Sequence, residues 1–184
     1  MEGKHLLSAR ERNRHAVILA YEWAGVIVVT MAILLLLLTF VVRVVRVDGD
    51  SMLPTLHDND RLLLSCVSSE YRQGDIVVID RYTEEPLIKR IIAVEGDVVN
   101  IERGEVYVNG LKLSETYTQG TTINKDFHKA TEVPKGCVFV LGDNRTDSRD
   151  SRTKEIGMIS QKDIFGKALV TIWPPNSIRA DFDD

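Results

Sequence analysis

Only two cysteines and four histidines occur in 184 residues. Cys66 and Cys137 lie in separate apolar stretches, and His5, His15, His57 and His128 are scattered, so the clustered spacing of a zinc site is missing. One disulfide is permitted in an oxidising compartment, and two free thiols are permitted equally. Glycine and proline together make 17 residues, too few for a collagen-like or disordered chain. A Gly-rich phosphate loop, a dinucleotide fingerprint and an HExxH helix are all lacking. No metal and no cofactor is expected. Beyond residue 42 the chain carries 19 basic and 24 acidic residues, and this acidic body argues against a nucleic-acid partner. Internal repeats, low-complexity linkers and, after residue 46, any convincing 3.6-residue apolar period are also missing.

What is present is a long apolar run. Trp23 to Val42 gives 20 consecutive residues without a charge, including Leu34 to Leu38 in a row. A helix needs about 20 residues to cross about 30 Å of hydrocarbon. A cleaved secretory signal has a shorter core of about 7–15 residues and a small-x-small exit, whereas Val-Arg-Val-Val-Arg-Val-Asp follows here. The run therefore reads as a retained single-pass anchor, residues 23–42, behind a tail at 1–22. Lys4, Arg10, Arg12 and Arg14 precede it, against Arg43 and Arg46 after it, which favours a cytoplasmic N-terminus and an extracytoplasmic domain at 43–184. The 142 residues of that domain suffice for one core.

The exported part reads as short strands: Arg61–Cys66, Asp75–Asp80, Leu87–Val94, Asp97–Glu102, Glu105–Val108, Leu111–Leu113, Cys137–Leu141 and Ile164–Trp173. Asn109-Gly110 is a strong hairpin signal. The expected class is mainly β, antiparallel. Ser114–Pro134 is polar and looks like an excursion from the main sheet. Gly142–Lys162 is dense in charge, as a solvated connection would be, or as a loop folded on itself through charge-assisted hydrogen bonds.

Two residues could carry chemistry. On a strand over 87–94, Lys89 shares a face with Leu87, Ile91 and Ala93, while Arg90 shares the other with Ile88 and Ile92. A lysine on an apolar face either reaches water at a sheet edge or loses its proton, because burial disfavours the ammonium. A neutral lysine is a general base for a hydroxyl. Ser51 stands in the turn sequence Asp48-Gly49-Asp50-Ser51, with Pro54 stiffening the exit; it is an ordinary turn serine or a presented nucleophile beside free backbone N–H groups.

Taken together, Ser51-Met52-Leu53-Pro54-Thr55, Gly74-Asp75-Ile76-Val77-Val78, Lys89-Arg90-Ile91 and Gly142-Asp143-Asn144-Arg145…Ser148…Asp150-Ser151-Arg152 resemble, in order and spacing, the motif boxes of bacterial type I signal peptidases. The likeness runs from the anchor to Trp173-Pro174. It implies a Ser-Lys endopeptidase that removes signal peptides from exported preproteins at small-x-small sites, held in the lipid bilayer near the protein-export translocon. In that likeness Ser51 matches the nucleophile, Lys89 the general base, and Ser148 the hydroxyl that orients the lysine. Asp150 with Arg152, and Asp143 with Arg90, match supporting ion pairs, and Met52 and Ile88 line the substrate groove. The implied fold is a coiled antiparallel β-sheet, with a small subdomain inserted at about 103–135.

Gly49 departs from the members, mostly Gram-negative in type, that place a hydroxyl two residues before the nucleophile. As in many Gram-positive members, the oxyanion would fall to the Ser51 N–H and water. A self-cleaving regulator of the LexA-like class shares the dyad, but would need a DNA-binding helix-turn-helix where this chain has its apolar run. A silent membrane-anchored β-module would have no reason to keep Ser51, Lys89 and Ser148 together.

Overall fold

The computed structural model describes residues 2–67, 70–80 and 85–175. The chain divides into two compact units between Val41 and Val42. The first is one helix, α1 (Glu2–Val41). Its segment Val17–Val41 contains an 18-residue window with a mean hydropathy of 2.8, none of it buried, and is long and apolar enough to cross a membrane. Those 25 residues make about 37 Å of helix. The helix also takes in the charged leader, because Glu, Arg, Ala and Leu sustain helix without a core.

In the second unit β1 (Val42–Arg46), β2 (Arg61–Ser65), β3 (Ile76–Ile79) and β4 (Leu87–Val94) precede a small separate sheet. That sheet is formed by β5 (Val98–Glu102), β6 (Glu105–Val108), β7 (Leu111–Lys112) and β8 (Thr131–Glu132). The chain then returns through β9 (Cys137–Leu141), β10 (Ile159–Ser160) and β11 (Ile164–Trp173). The large sheet has the order β1-β2-β11-β3-β4-β9-β10 and the small one β7-β6-β5-β8, every pair antiparallel. The protein is mainly β, with a curled antiparallel sheet. Curling has a visible cause in β11, whose register slips against β2 between Ala168 and Val170 and again between Thr171 and Trp173.

Strands β4, β6, β9 and β11 coincide with the expected segments, and β2, β3, β5 and β7 are shorter by a residue or two. Asn109 and Gly110 both take positive φ, 53° and 78°, as a two-residue primed turn requires. The small sheet begins at Val98, so it includes a strand upstream of residue 103. Three strands carry no clear apolar signature: β1 is Val-Arg-Val-Val-Arg, without strict alternation, and β8 and β10 are two-residue pairings.

Three apolar clusters fix the layers. Ile76 and Val78 pack with Met52, Leu56, Leu62 and Leu64, while Val77 and Ile79 on the other face pack with Ile91, Val138 and Val140. The third cluster joins Ile92, Phe139 and Leu141 of the large sheet to Val99, Ile101 and Val106 of the small one. Both faces of β3 are therefore covered, which explains its unbroken apolar character. Ala93 departs from the simple alternation and joins Ile92, because the register between β4 and β9 slips between Ile91 and Ala93.

Candidate active site

The segment after β1 is pinched shut by Val47 N–H to Asp60 O (2.8 Å) and Asn59 N–H to Val47 O (3.0 Å). Gly49 turns the chain at a φ of 82°, cheap only for glycine, and its N–H donates to Asp58 Oδ1 at 3.1 Å. Met52 and Leu56 are fully buried and anchor the loop to the core. Ser51 is thus held, half-buried, at the head of a fastened loop.

Lys89 is central in β4, opposite Val77 of β3, and only 2% exposed. Its Nζ donates to Ser51 Oγ at 2.8 Å and to the Ile88 carbonyl at 2.8 Å. Burial pushes its pKa down to about 8; Asp150 and Asp143 oppose that shift, and Lys125 and Arg149 add to it.

The loop after β9 surrounds this pair. Asp143 takes two bonds from Arg90, Nε to Oδ1 at 2.9 Å and Nη2 to Oδ2 at 2.8 Å, with both side chains fully buried. Thr55 Oγ1 also donates to Asp143 Oδ2, at 2.5 Å. Asp150 is held in the same bidentate way by Arg152, at 2.8 and 2.7 Å. Burial alone would raise the Asp150 pKa, but the Arg152 hydrogen bonds and charge, with smaller help from Ser148 and the Gly142 N–H, hold it below the usual carboxylate range. Losing one partner of such a buried pair costs about 3–5 kcal/mol. Met52 and Ile88 line, with Ser51, Lys89, Leu87 and Val45, a groove of about 770 Å³.

The structure differs from expectation at Ser148. Its Oγ makes no hydrogen bond among the described residues and does not meet Lys89. Lys89 points instead at Ser51 and the Ile88 carbonyl, and Ser148 Oγ is pressed against Gly142, where a Cβ would stand 2.2 Å away. It lies near enough to Asp150 to lower that carboxyl, but off hydrogen-bond alignment.

Asn144 escaped the residue-by-residue reading although it lies in the Gly-Asp-Asn-Arg segment. Its N–H donates to Ser51 O and its Nδ2 to Asp50 O, both at 3.1 Å, so it clasps the two carbonyls around the serine. The same holds for Arg145, which pairs with Glu115 and donates to Thr122 Oγ1 at 2.8 Å. Bonds to main-chain atoms, and to side chains 23 or 30 residues away, leave no pattern in spacing.

A depressed lysine pKa makes stability depend on pH. Below about 8 the folded state carries a proton it disfavours, and this cost fades as pH rises toward 10.5. Lys89→Met should therefore be more stable than the wild type at pH 7 by about 2 kcal/mol, the roughly 3 kcal/mol of the shift less about 1 for the lost Ser51 bond. Thermal melts across pH should show that advantage vanishing near pH 10. A difference independent of pH would mean that Lys89 is not depressed.

Residues 20–173 match the family described as signal peptidase, peptidase S26. The chain is 35% identical over 170 residues to a signal peptidase I of Bacillus amyloliquefaciens, covering 86% of this chain and 90% of that protein. It is 33% identical over 181 residues to signal peptidase IB of Staphylococcus aureus (strain COL), covering 88% and 94%. A crystal structure of a signal peptidase I from Enterococcus faecalis V583 is 28% identical, with a TM-score of 0.44, covering 54% of this chain and 97% of that one. The chain belongs to the signal peptidase family, peptidase S26, and is a serine peptidase of that family.

Proposed function

We propose that this membrane-anchored endopeptidase removes signal peptides from exported preproteins, with Ser51 as nucleophile and neutral Lys89 as general base. Family membership supports the removal of signal peptides. The observation that carries the residue roles is the 2.8 Å contact between Ser51 Oγ and a buried lysine amine whose pKa lies near about 8.

In the proposed reaction Lys89 Nζ takes the Ser51 proton as Oγ attacks the scissile carbonyl carbon. The Ser51 N–H, which has no partner among the described residues, faces the oxyanion, whereas the Gly49 N–H is already engaged by Asp58. Lys89 then passes its proton to the leaving amide nitrogen, and the signal peptide stays as an ester on Oγ. A water, deprotonated by the same amine, attacks that ester and restores Ser51. Ser148 Oγ, unpartnered and buried beside Gly142, is the reserve acceptor for the Lys89 ammonium once Ser51 turns to substrate. The Arg90–Asp143 and Arg152–Asp150 pairs brace the pocket. Met52 and Ile88 form the apolar groove that admits small side chains before the cut.

Lys89→Arg tests the base, because guanidinium keeps the charge but cannot lose its proton at usable pH. Turnover of a preprotein by the detergent-solubilised chain should fall at least about 10²-fold, without rescue at high pH, and Ser51→Ala should abolish it. Near-normal turnover by a folded Lys89→Arg protein would end the mechanism.

The groove sets the second expectation. Replacing Ala by Phe just before the cut should lower kcat/KM at least about tenfold, a difference of about 1.4 kcal/mol. Equal cleavage of the two substrates would rule out a shallow pocket at Met52 and Ile88.

The apolar segment of α1 supports a single membrane crossing, and the flanking charges support a cytoplasmic N-terminus with the β-domain outside, beside the translocon that delivers the preproteins. Protease added outside intact cells with permeable walls should digest residues 43–184 and spare the first 20 or so. Protection of the β-domain would reverse the orientation.

A further inference from the structure

The polar stretch between β7 and β8 lies against the loop after β9 and is tied to it along its length. Glu115 and Thr122 hold Arg145. The Ile123 carbonyl accepts from Arg152 Nη1 at 3.1 Å. The Asp126 N–H donates to Arg152 O, and Asp126 Oδ2 accepts from Lys154 N–H, both at 3.1 Å. Between these ties stands Lys125, whose Nζ donates to the Ser148 carbonyl.

Lys125 is unlike the other ties. Its backbone is left-handed, with φ 51°, a position that glycine or asparagine fills more cheaply. It is half-buried, and among the described residues its ammonium meets a carbonyl and no carboxylate. A cation so placed projects a field into the site that no ion pair opposes.

We propose that Lys125 is a positioning residue for the Ser51–Lys89 pair: its ammonium pins the Ser148 carbonyl and sets an unmatched positive charge against the Lys89 pocket, which drives Lys89 toward its neutral form. The inference rests on the roles given above to Ser51 and Lys89. Four charged groups act on Lys89 from the elements around it. Asp143 and Asp150 favour the ammonium, and each is already matched by its own arginine. Lys125 and Arg149 disfavour it, and Arg149 is bonded to Glu155 at 2.9 Å. From β3 only the apolar Val77 stands opposite, and the groove rim adds Arg46, Asp48 and Glu85. Lys125 is thus the cation near Lys89 whose field no carboxylate cancels.

The sign is fixed. Removing a positive neighbour makes the Lys89 ammonium easier to hold, so more alkaline conditions are needed to free the amine. The test is the pH profile of kcat/KM for the full chain in detergent, with a peptide containing a small-x-small site. Lys125→Met should move the acidic limb upward by about half a pH unit, a loss of about threefold near pH 7 that fades as pH rises. Lys125→Gln should do the same, and Lys125→Arg should restore the wild-type limb. The limb position does not depend on how much of a sample is folded, so poor yield of one variant leaves the measurement valid. A uniform loss at every pH with an unmoved limb would mean that Lys125 only braces the loop, and would overturn the proposal while Ser51→Ala remained inactive. An active Ser51→Ala protein would overturn the dyad reading, and this inference with it.

Discussion

Everything around the site answers to one constraint, the enclosure of a lysine amine in the middle of a β-strand. Taking an ammonium out of water costs several kcal/mol, and the usual remedy is a carboxylate partner. A partner would keep Lys89 charged near neutral pH, against the role proposed for it. Two buried carboxylates, Asp143 and Asp150, do lie within electrostatic reach, and each is engaged bidentately by an arginine. Their pull on Lys89 is reduced by those guanidinium charges. The two ion pairs are therefore conditions for a lowered Lys89 pKa as well as braces. Arg90 shows how tightly this is arranged: it pairs with Asp143, donates to the Gly74 carbonyl at 3.0 Å, and lies 3.9 Å from the centre of the Tyr117 ring.

The smaller sheet gains its meaning from the same constraint. The loop after β9 carries the carboxylates and arginines, and a loop this charged would not stay buried on its own. Its guanidinium groups need acceptors on both sides. One side comes from the loop itself, as when Arg152 Nη1 donates to Arg145 O at 2.8 Å. The other comes from Glu115, Thr122 and Ile123 in the stretch between β7 and β8. Phe127 packs on Phe139 with ring centroids 5.0 Å apart, which fastens that stretch to the large sheet through the shared apolar cluster.

How much of this could be read from the chain depends on whether a feature has a period. The strand at 87–94, the Asn-Gly turn and the apolar run of α1 each leave a local signature in the chain, and all three are found in the structure, with Ala93 alone departing from the alternation of faces. The pairing of Arg90 with Asp143 and of Arg152 with Asp150 came through resemblance, not through spacing. What stayed hidden is what acts through main-chain atoms. Asn144 clasps the carbonyls of Asp50 and Ser51, and β8 and β10 are two-residue pairings with no apolar pattern. Ser148 is a related case: a residue type can be matched to a role, but its rotamer here is set by packing against Gly142.

That contact with Gly142 also explains why the serine and the lysine meet so closely. A Cβ at position 142 would stand 2.5 Å from the Ser51 carbonyl as well as 2.2 Å from Ser148 Oγ. No side chain other than hydrogen fits between the Ser51 loop and the loop after β9, so their backbones lie in direct contact. Asn144 then holds that contact with two hydrogen bonds. The position of Ser51 is consequently fixed from outside its own loop, by residues that follow β9. Strand β9 is hydrogen-bonded to β4, which carries Lys89. Ser51 and Lys89 are thus referenced to the same pair of adjacent strands, a short and stiff path. The groove can then vary at Val45, Leu87 and Ile88 without moving Ser51 or Lys89.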